Sequence, residues 1–186
     1  MQMRWLRAEG PRLPWQRWER VLEWDRTCAL LVHRSLATPF EKLWVAVDRL
    51  GDWAVWVALI IAIALAGGPG GARCALHMFI AGTFALGIYK LVKRFACRER
   101  PCVGVAGVRR CVEPRDEFSF PSGHTLHAVV FSVIAMSYFH ALAIPLLPFV
   151  ALIAVSRIAL GLHYPSDVLA GAVLGGVIAL VSFLFV

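Results

Sequence analysis

Charge is scarce in this sequence. Of its 186 residues only 17% are Asp, Glu, Lys or Arg, where a soluble globule of this size carries about a quarter. Most of its apolar runs also lack the polar face that a helical bundle dissolved in water needs. No continuous apolar leader opens the chain, so no secretory signal is expected. There is no repeat, no low-complexity tract and no stretch that reads as a separate soluble domain. The Cys and His residues show no metal-ligand spacing, and no set of carboxylates resembles a two-metal site; neither metal nor cofactor is expected. Acids are the scarcer charge, 12 Asp and Glu against 19 Lys and Arg, for a net +7. Such basicity suits nucleic acid, anionic lipid or an anionic substrate. The apolar runs make nucleic acid the poorest fit.

What the chain has is apolar length. Trp53 to Ala72 is 20 residues without a charge, Cys74 to Tyr89 is 16, Phe118 to Ser156 is 39 and Val168 to Val186 is 19. A bilayer core is crossed by about 20 helical residues. The longest run divides at Pro145 and Pro148, since proline disrupts a helix interior. Five spans are therefore predicted, over about 52–68, 73–92, 123–141, 146–161 and 166–186. Residues 1–24 are basic and Trp-rich and suit the headgroup level. Residues 25–49 have helical periodicity but carry His33, Arg34, Glu41 and Lys42; they read as an interfacial amphipathic helix broken near Thr38-Pro39, or alternatively as a sixth, unusually polar span. The organisation expected is an arm over 1–49 and a transmembrane domain over 50–186. The fold class is all-α, a polytopic membrane bundle of about five transmembrane helices with N-terminal interfacial helices.

Five spans put the arm, the 93–122 loop and the 157–167 turn on one side. That side takes all twelve acids and every basic residue except Arg73. Three stretches stand out there: "KRFACRERP" leaving the second span, "PSGH" entering the third, and "SRIALGLHYPSD" joining the last two. Singly, each has an ordinary explanation. Lys93 and Arg100 could be stop-transfer charges that snorkel, Ser122-Gly123 a turn and N-cap, and His163 an interfacial histidine. Together, at one depth, they suit phosphoryl transfer. Lys93, Arg100 and Arg157 supply three cations for phosphate oxygens, arginine bidentately. The Ser122-Gly123 corner opens a helix, whose N-terminus receives anions, and Ser122 adds a hydroxyl. Asp167, four residues after His163, is placed to orient it as a nucleophile. His124, beside the anion site, is placed as general acid.

These residues resemble the motifs of the type 2 phosphatidic acid phosphatase family of membrane lipid phosphatases. Lys93 is followed after six residues by Arg100-Pro101; Pro121-Ser122-Gly123-His124 is complete; Ser156-Arg157 is followed by His163 and Asp167 at the family's spacing. The likeness runs from about residue 50 to 186. It implies the fold shared with vanadate haloperoxidases and a metal-independent hydrolase that forms a phosphohistidine on His163. It further implies that His124 protonates the leaving group and Asp167 supports His163. Lys93, Arg100, Ser122, Gly123 and Arg157 would hold the phosphate. Family members commonly have six spans, one more than expected here.

The partners expected are the bilayer and a lipid phosphate or diphosphate, in a bacterial inner membrane. Undecaprenyl diphosphate, cleaved to undecaprenyl phosphate and phosphate, is favoured, with phosphatidylglycerol phosphate and phosphatidate as alternatives. The preference draws on Arg98, Arg109, Arg110 and Arg115, which the loop adds near the expected mouth. A non-enzymatic protein that binds anionic lipid is the competing class. The charge bias favours a cytoplasmic site, whereas bacterial relatives usually work on the outer side. Cys97, Cys102 and Cys111 fit either free thiols inside or a disulfide and a spare thiol outside.

Overall fold

The computed structural model describes residues 14–186, and among them all regular structure is helical. The first half of the Trp-rich arm, residues 1–13, lies outside the described residues. The order is α1 (Pro14–Val32), running through a π-helical turn at His33–Ala37 into α2 (Thr38–Leu50), then α3 (Trp53–Ala66), α4 (Gly68–Ala96), the single turn α5 (Pro101–Gly104), α6 (Gly123–Tyr138), α7 (Ala143–Ala159) and α8 (Pro165–Ser182).

Three stretches are each long and apolar enough to cross a membrane: Gly68–Gly104, His140–Ala159 and Pro165–Phe185. Pro39–Leu50 and Trp53–Ala66 reach that standard together, across a 50° bend. The remaining expected span, α6, is a 16-residue helix. It sits inside the bundle, packed on α4, α7 and α8, with Leu126, Ala128, Val130, Ile134 and Ala135 fully buried. Large apolar side chains instead line the outside, among them Leu65, Phe79, Ile144 and Leu180. That inversion is what a lipid solvent permits, and association then depends on close packing of small residues. At the α6–α8 crossing a Cβ on Gly171 would stand 2.5 Å from the Ser122 carbonyl oxygen, so the two backbones touch.

The break between α6 and α7 falls at Phe139, earlier than the prolines suggest. Phe139 leaves helical geometry, a 3₁₀ turn follows at His140–Leu142, and Pro145 and Pro148 lie within α7. Pro145 falls in the first turn, where the missing N–H has no helical partner to lose.

The segment read as an interfacial helix is tied to one end of the bundle. Asp25 and His33 are buried. Asp25 accepts the Ser166 N–H at 2.9 Å, and His33 Nδ1 bonds the Ala159 carbonyl at 2.8 Å. Glu41 pairs with Arg109, and Asp48 with Arg157. These contacts, spread over residues 25–48, all reach the end of the bundle that carries the three motifs. The kink anticipated near Thr38-Pro39 occurs at Phe40, whose φ of −129° is not helical.

Candidate active site

The C-terminal ends of α4 and α7 and the N-terminal ends of α6 and α8 meet at that end. A cavity of about 520 Å³ opens between them, lined by Lys93, Arg100, Gly123, His124, Arg157 and His163. Ser122 and Asp167 do not line it.

Lys93 occupies the last turn of α4 and is 8% exposed. Its Nζ donates to the Tyr89 hydroxyl, one turn earlier, at 2.6 Å and meets Asp116 Oδ1 at 2.6 Å. Arg100 precedes Pro101, which keeps it extended, with ψ 152° at the start of α5. Its guanidinium donates to Asp116 Oδ1 at 2.6 Å and to the Leu162 carbonyl at 2.8 Å. Tyr89 donates to Asp116 at 2.8 Å. One carboxylate thus neutralises two of the three motif cations. Burial alone would raise the Asp116 carboxyl. Hydrogen bonds from Lys93 and Tyr89 and the charges of Lys93 and Arg100 outweigh it and hold the group below the usual carboxylate range. The third cation, Arg157, is paired with Asp48. A phosphate entering the site has to take the place of these carboxylates.

The Pro-Ser-Gly-His corner begins α6. Ser122 is fully buried as the N-cap, its Oγ 3.0 Å from Thr125 Oγ1, and its N–H donates to the Asp167 carbonyl at 3.0 Å. It shapes the corner from behind the cavity wall. Gly123 lies against Tyr89, whose ring a Cβ would approach to 2.8 Å. His124 Nε2 stands 2.9 Å from Asp52 Oδ1.

The chain reverses after α7 at Gly161, where φ is +72°, a conformation L side chains rarely adopt. The turn brings the N–H groups of Leu162 and His163 onto the Arg157 carbonyl, both at 3.1 Å. His163 is 2% exposed, with Nε2 3.3 Å from Arg100 Nη1. Guanidinium can only donate, so Nε2 carries the lone pair and the proton belongs on Nδ1. Nδ1 faces Asp167 Oδ2 at 3.8 Å, beyond hydrogen-bond length. Burial first, then the charges of Arg157, Arg100 and Lys93, push the His163 imidazole well below its ordinary 6.5. It is neutral at neutral pH, the form that can attack phosphorus.

Asp167 is anchored elsewhere. As the third residue of α8 it accepts the Tyr164 N–H at 2.8 Å and the Arg98 guanidinium at 2.6 Å. Arg98 spans two buried acids, with Asp25 on its other nitrogen at 2.6 Å, and stacks 4.0 Å above the Tyr164 ring. Arg98 is therefore behind the site and not at its mouth. Arg109 pairs with Glu41 and Arg110 with Glu113, so only Arg115 of the four loop arginines lines the cavity, bound to Asp52 at 2.5 Å. Asp25, Asp48, Asp52, Tyr89 and Asp116 carry no motif and were not singled out from the sequence. The available signal was that all twelve acids fall on the motif side. All five cysteines are free. Among the described residues no cluster of His, Cys, Asp or Glu could hold a metal ion.

The chain is similar to several known proteins. The chain is 37% identical over 99 residues to a decaprenylphosphoryl-5-phosphoribose phosphatase of Mycobacterium tuberculosis, covering 53% of this chain and 54% of that one. It thus spans about half the length of this relative. It is 31% identical over 130 residues to the undecaprenyl-diphosphatase BcrC of Bacillus subtilis, covering 70% and 67%. Two solved structures share the fold. One is a transmembrane PAP2-type phosphatidylglycerolphosphate phosphatase from Bacillus subtilis, with TM-score 0.72, 21% identity, and 89% and 86% coverage. The other is LpxE of Aquifex aeolicus, with TM-score 0.74, 24% identity, and 87% and 93% coverage. The PAP2 superfamily model matches residues 53–186. That stretch holds every motif position lining the cavity, and the chain, a multi-pass membrane protein, belongs to the PAP2 superfamily.

Proposed function

We propose that this protein is a lipid phosphate or diphosphate phosphatase that works through a phosphohistidine and needs no metal ion. The observation that carries the proposal is the single cavity shared by Lys93, Arg100, Arg157, His124 and His163. His163 Nε2 attacks phosphorus while the three cations and the α6 N-terminus hold the non-bridging oxygens. The bond from phosphorus to the leaving oxygen breaks, and His124 supplies that oxygen with a proton. Water then attacks the phosphohistidine, giving up a proton to His124, and free phosphate departs.

Below these groups the same cavity runs between α3 and α4 past Trp53, Val57, Ile60, Phe79 and Leu86. An apolar groove there suits a lipid tail whose headgroup phosphate lies among the cations. Undecaprenyl diphosphate is the substrate we favour, yielding undecaprenyl phosphate and phosphate; both curated relatives are named for polyprenyl lipids. Phosphatidylglycerol phosphate and phosphatidate are the competing substrates. Protein purified in detergent should release phosphate from undecaprenyl diphosphate in the presence of EDTA, at a higher kcat/KM than from the other two. A higher value for a glycerophospholipid would overturn the substrate, and no release from any of the three would overturn the activity.

We place the site on the cytoplasmic side of a bacterial inner membrane. Apart from Lys93, Arg100 and Arg157, 15 basic residues fall on the motif side, and Arg73 alone opposite, a bias that marks the cytoplasmic side. Cys97, exposed just beyond α4, should resist a membrane-impermeant thiol reagent in intact cells when the other four cysteines are replaced. Rapid labelling would put the site outside.

A further inference from the structure

We infer that Asp52 is the positioning residue for His124, holding its Nε2–H so that the opposite ring nitrogen delivers the proton to the leaving oxygen. The inference rests on the proposed phosphatase reading and adds to it a residue from outside the three motifs and the matched family segment, which begins at Trp53.

Asp52 is the N-cap of α3, with extended φ −70° and ψ 159°. Aspartate there ordinarily turns its carboxylate back onto the N–H groups of the first turn. Here the side chain makes no capping bond. Oδ1 instead lies 2.9 Å from His124 Nε2, and Oδ2 2.5 Å from Arg115. Giving up its own cap for two charged partners on other elements is what a carboxylate does when its partner matters more than its helix.

The chemistry follows from donor inventory. An ionised carboxylate only accepts, so His124 Nε2 carries hydrogen, and Nδ1 is left without a protein partner among the described residues. An acid that transfers its proton through Nδ1 must hold protons on both nitrogens beforehand. A carboxylate on Nε2–H stabilises that imidazolium and fixes the ring's rotation, as in triads. Burial first, then the charges of Arg115 and Arg100 from the loop, work against that proton; the titratable neighbours are His127, one turn along α6, and His163, in the 157–167 turn. Asp52 is the carboxylate in direct contact that counters them. The α2–α3 bend sets its position. Gly51 closes α2, and the Trp56 indole N–H donates to the Gly51 carbonyl at 3.2 Å.

The test compares native protein with Asp52→Asn, Asp52→Glu, His124→Ala and the Asp52→Asn/His124→Ala double variant. Asp52→Asn should lower kcat by about 10²-fold on an alkyl phosphate, with KM changed much less. The loss on a diphosphate, which has a better leaving group, should be smaller. The alkaline limb of kcat should move to lower pH by about one unit. Asp52→Glu should recover part of the rate, and the double variant should be no slower than His124→Ala alone. Equal losses across leaving groups with an unmoved alkaline limb, or fully additive losses, would overturn the role. A second readout does not depend on turnover. In ¹⁵N-histidine spectra of the detergent-solubilised protein, His124 should titrate at lower pH in Asp52→Asn than in native protein, and an unmoved titration overturns the inference. Native protein inactive on every phosphate would defeat the phosphatase reading itself, while the His124 titration still decides whether Asp52 governs that ring.

Discussion

His163→Ala is expected to lose turnover by roughly 10⁴-fold or more, in line with the removal of a nucleophile elsewhere, while still binding lipid. The argument starts from the ring's two nitrogens. Nε2 faces Arg100, a pure donor, at 3.3 Å, and so carries the lone pair, on a ring that lines the cavity. His124 has the opposite arrangement, with Nε2 against a carboxylate. The pair is thereby divided into one ring poised to attack and one poised to give a proton. Burial and three nearby cations keep His163 neutral, and the same cations that disfavour its protonation would welcome the phosphoryl group it accepts. Native protein briefly incubated with ³²P-labelled substrate should carry an acid-labile, base-stable label that is absent from the variant. His163→Gln, closer in volume, guards against collapse of a side chain that is 2% exposed. Label retained on either variant would move the nucleophile elsewhere. Lipid binding by native and variant protein alike, with no turnover in either, would favour the non-enzymatic class.

The motif residues were legible because each motif is short and its geometry is local. Pro101 holds Arg100 extended, Ser122 caps α6, Gly161 turns the chain back over Arg157, and Pro165 starts α8. Helix direction then carries all of them to one end without any long-range information. What the sequence did not display is which acid meets which cation. Asp48, Asp52 and Asp116 lie on separate segments, and aspartate near basic residues is ordinary on any loop. Their pairing depends on the bend after α2 and on the path of the 93–122 loop, which no periodicity specifies. The same limit misplaced Arg98. A loop arginine reads as solvent-facing unless a buried acid is known to be waiting, and here two are, one of them 73 residues away in α1. The α6–α7 break was misjudged for a different reason. Proline signals the end of a helix less reliably when it can serve in the first turn of the next one, as Pro145 does.

Asp25→Ala is expected to destabilise the protein by about 3–5 kcal/mol, the usual cost of stranding a buried charge. Asp25 is fully buried and its carboxylate is saturated by the Ser166 N–H, the Ser166 hydroxyl and the Arg98 guanidinium. Removing it leaves Arg98, which is 20% exposed, with Asp167 as its one remaining carboxylate, and leaves the second N–H of α8 without its acceptor. Partial exposure of Arg98 lets water recover some of the loss, so the lower end of the range is expected. Asp25→Asn keeps an acceptor but not the charge, and should cost about half as much. The arm is then seen to be part of the site's foundation, since Arg98 joins it to Asp167, and Asp167 stands behind His163. Thermal unfolding in detergent should show the midpoint falling in the order native, Asp25→Asn, Asp25→Ala. Arg98→Leu combined with Asp25→Leu should not recover stability relative to Asp25→Ala, because it takes the same guanidinium away from the buried Asp167 carboxylate. A midpoint unchanged in Asp25→Ala would mean that α1 does not dock on α8 and that its buried aspartate is solvated in the folded protein.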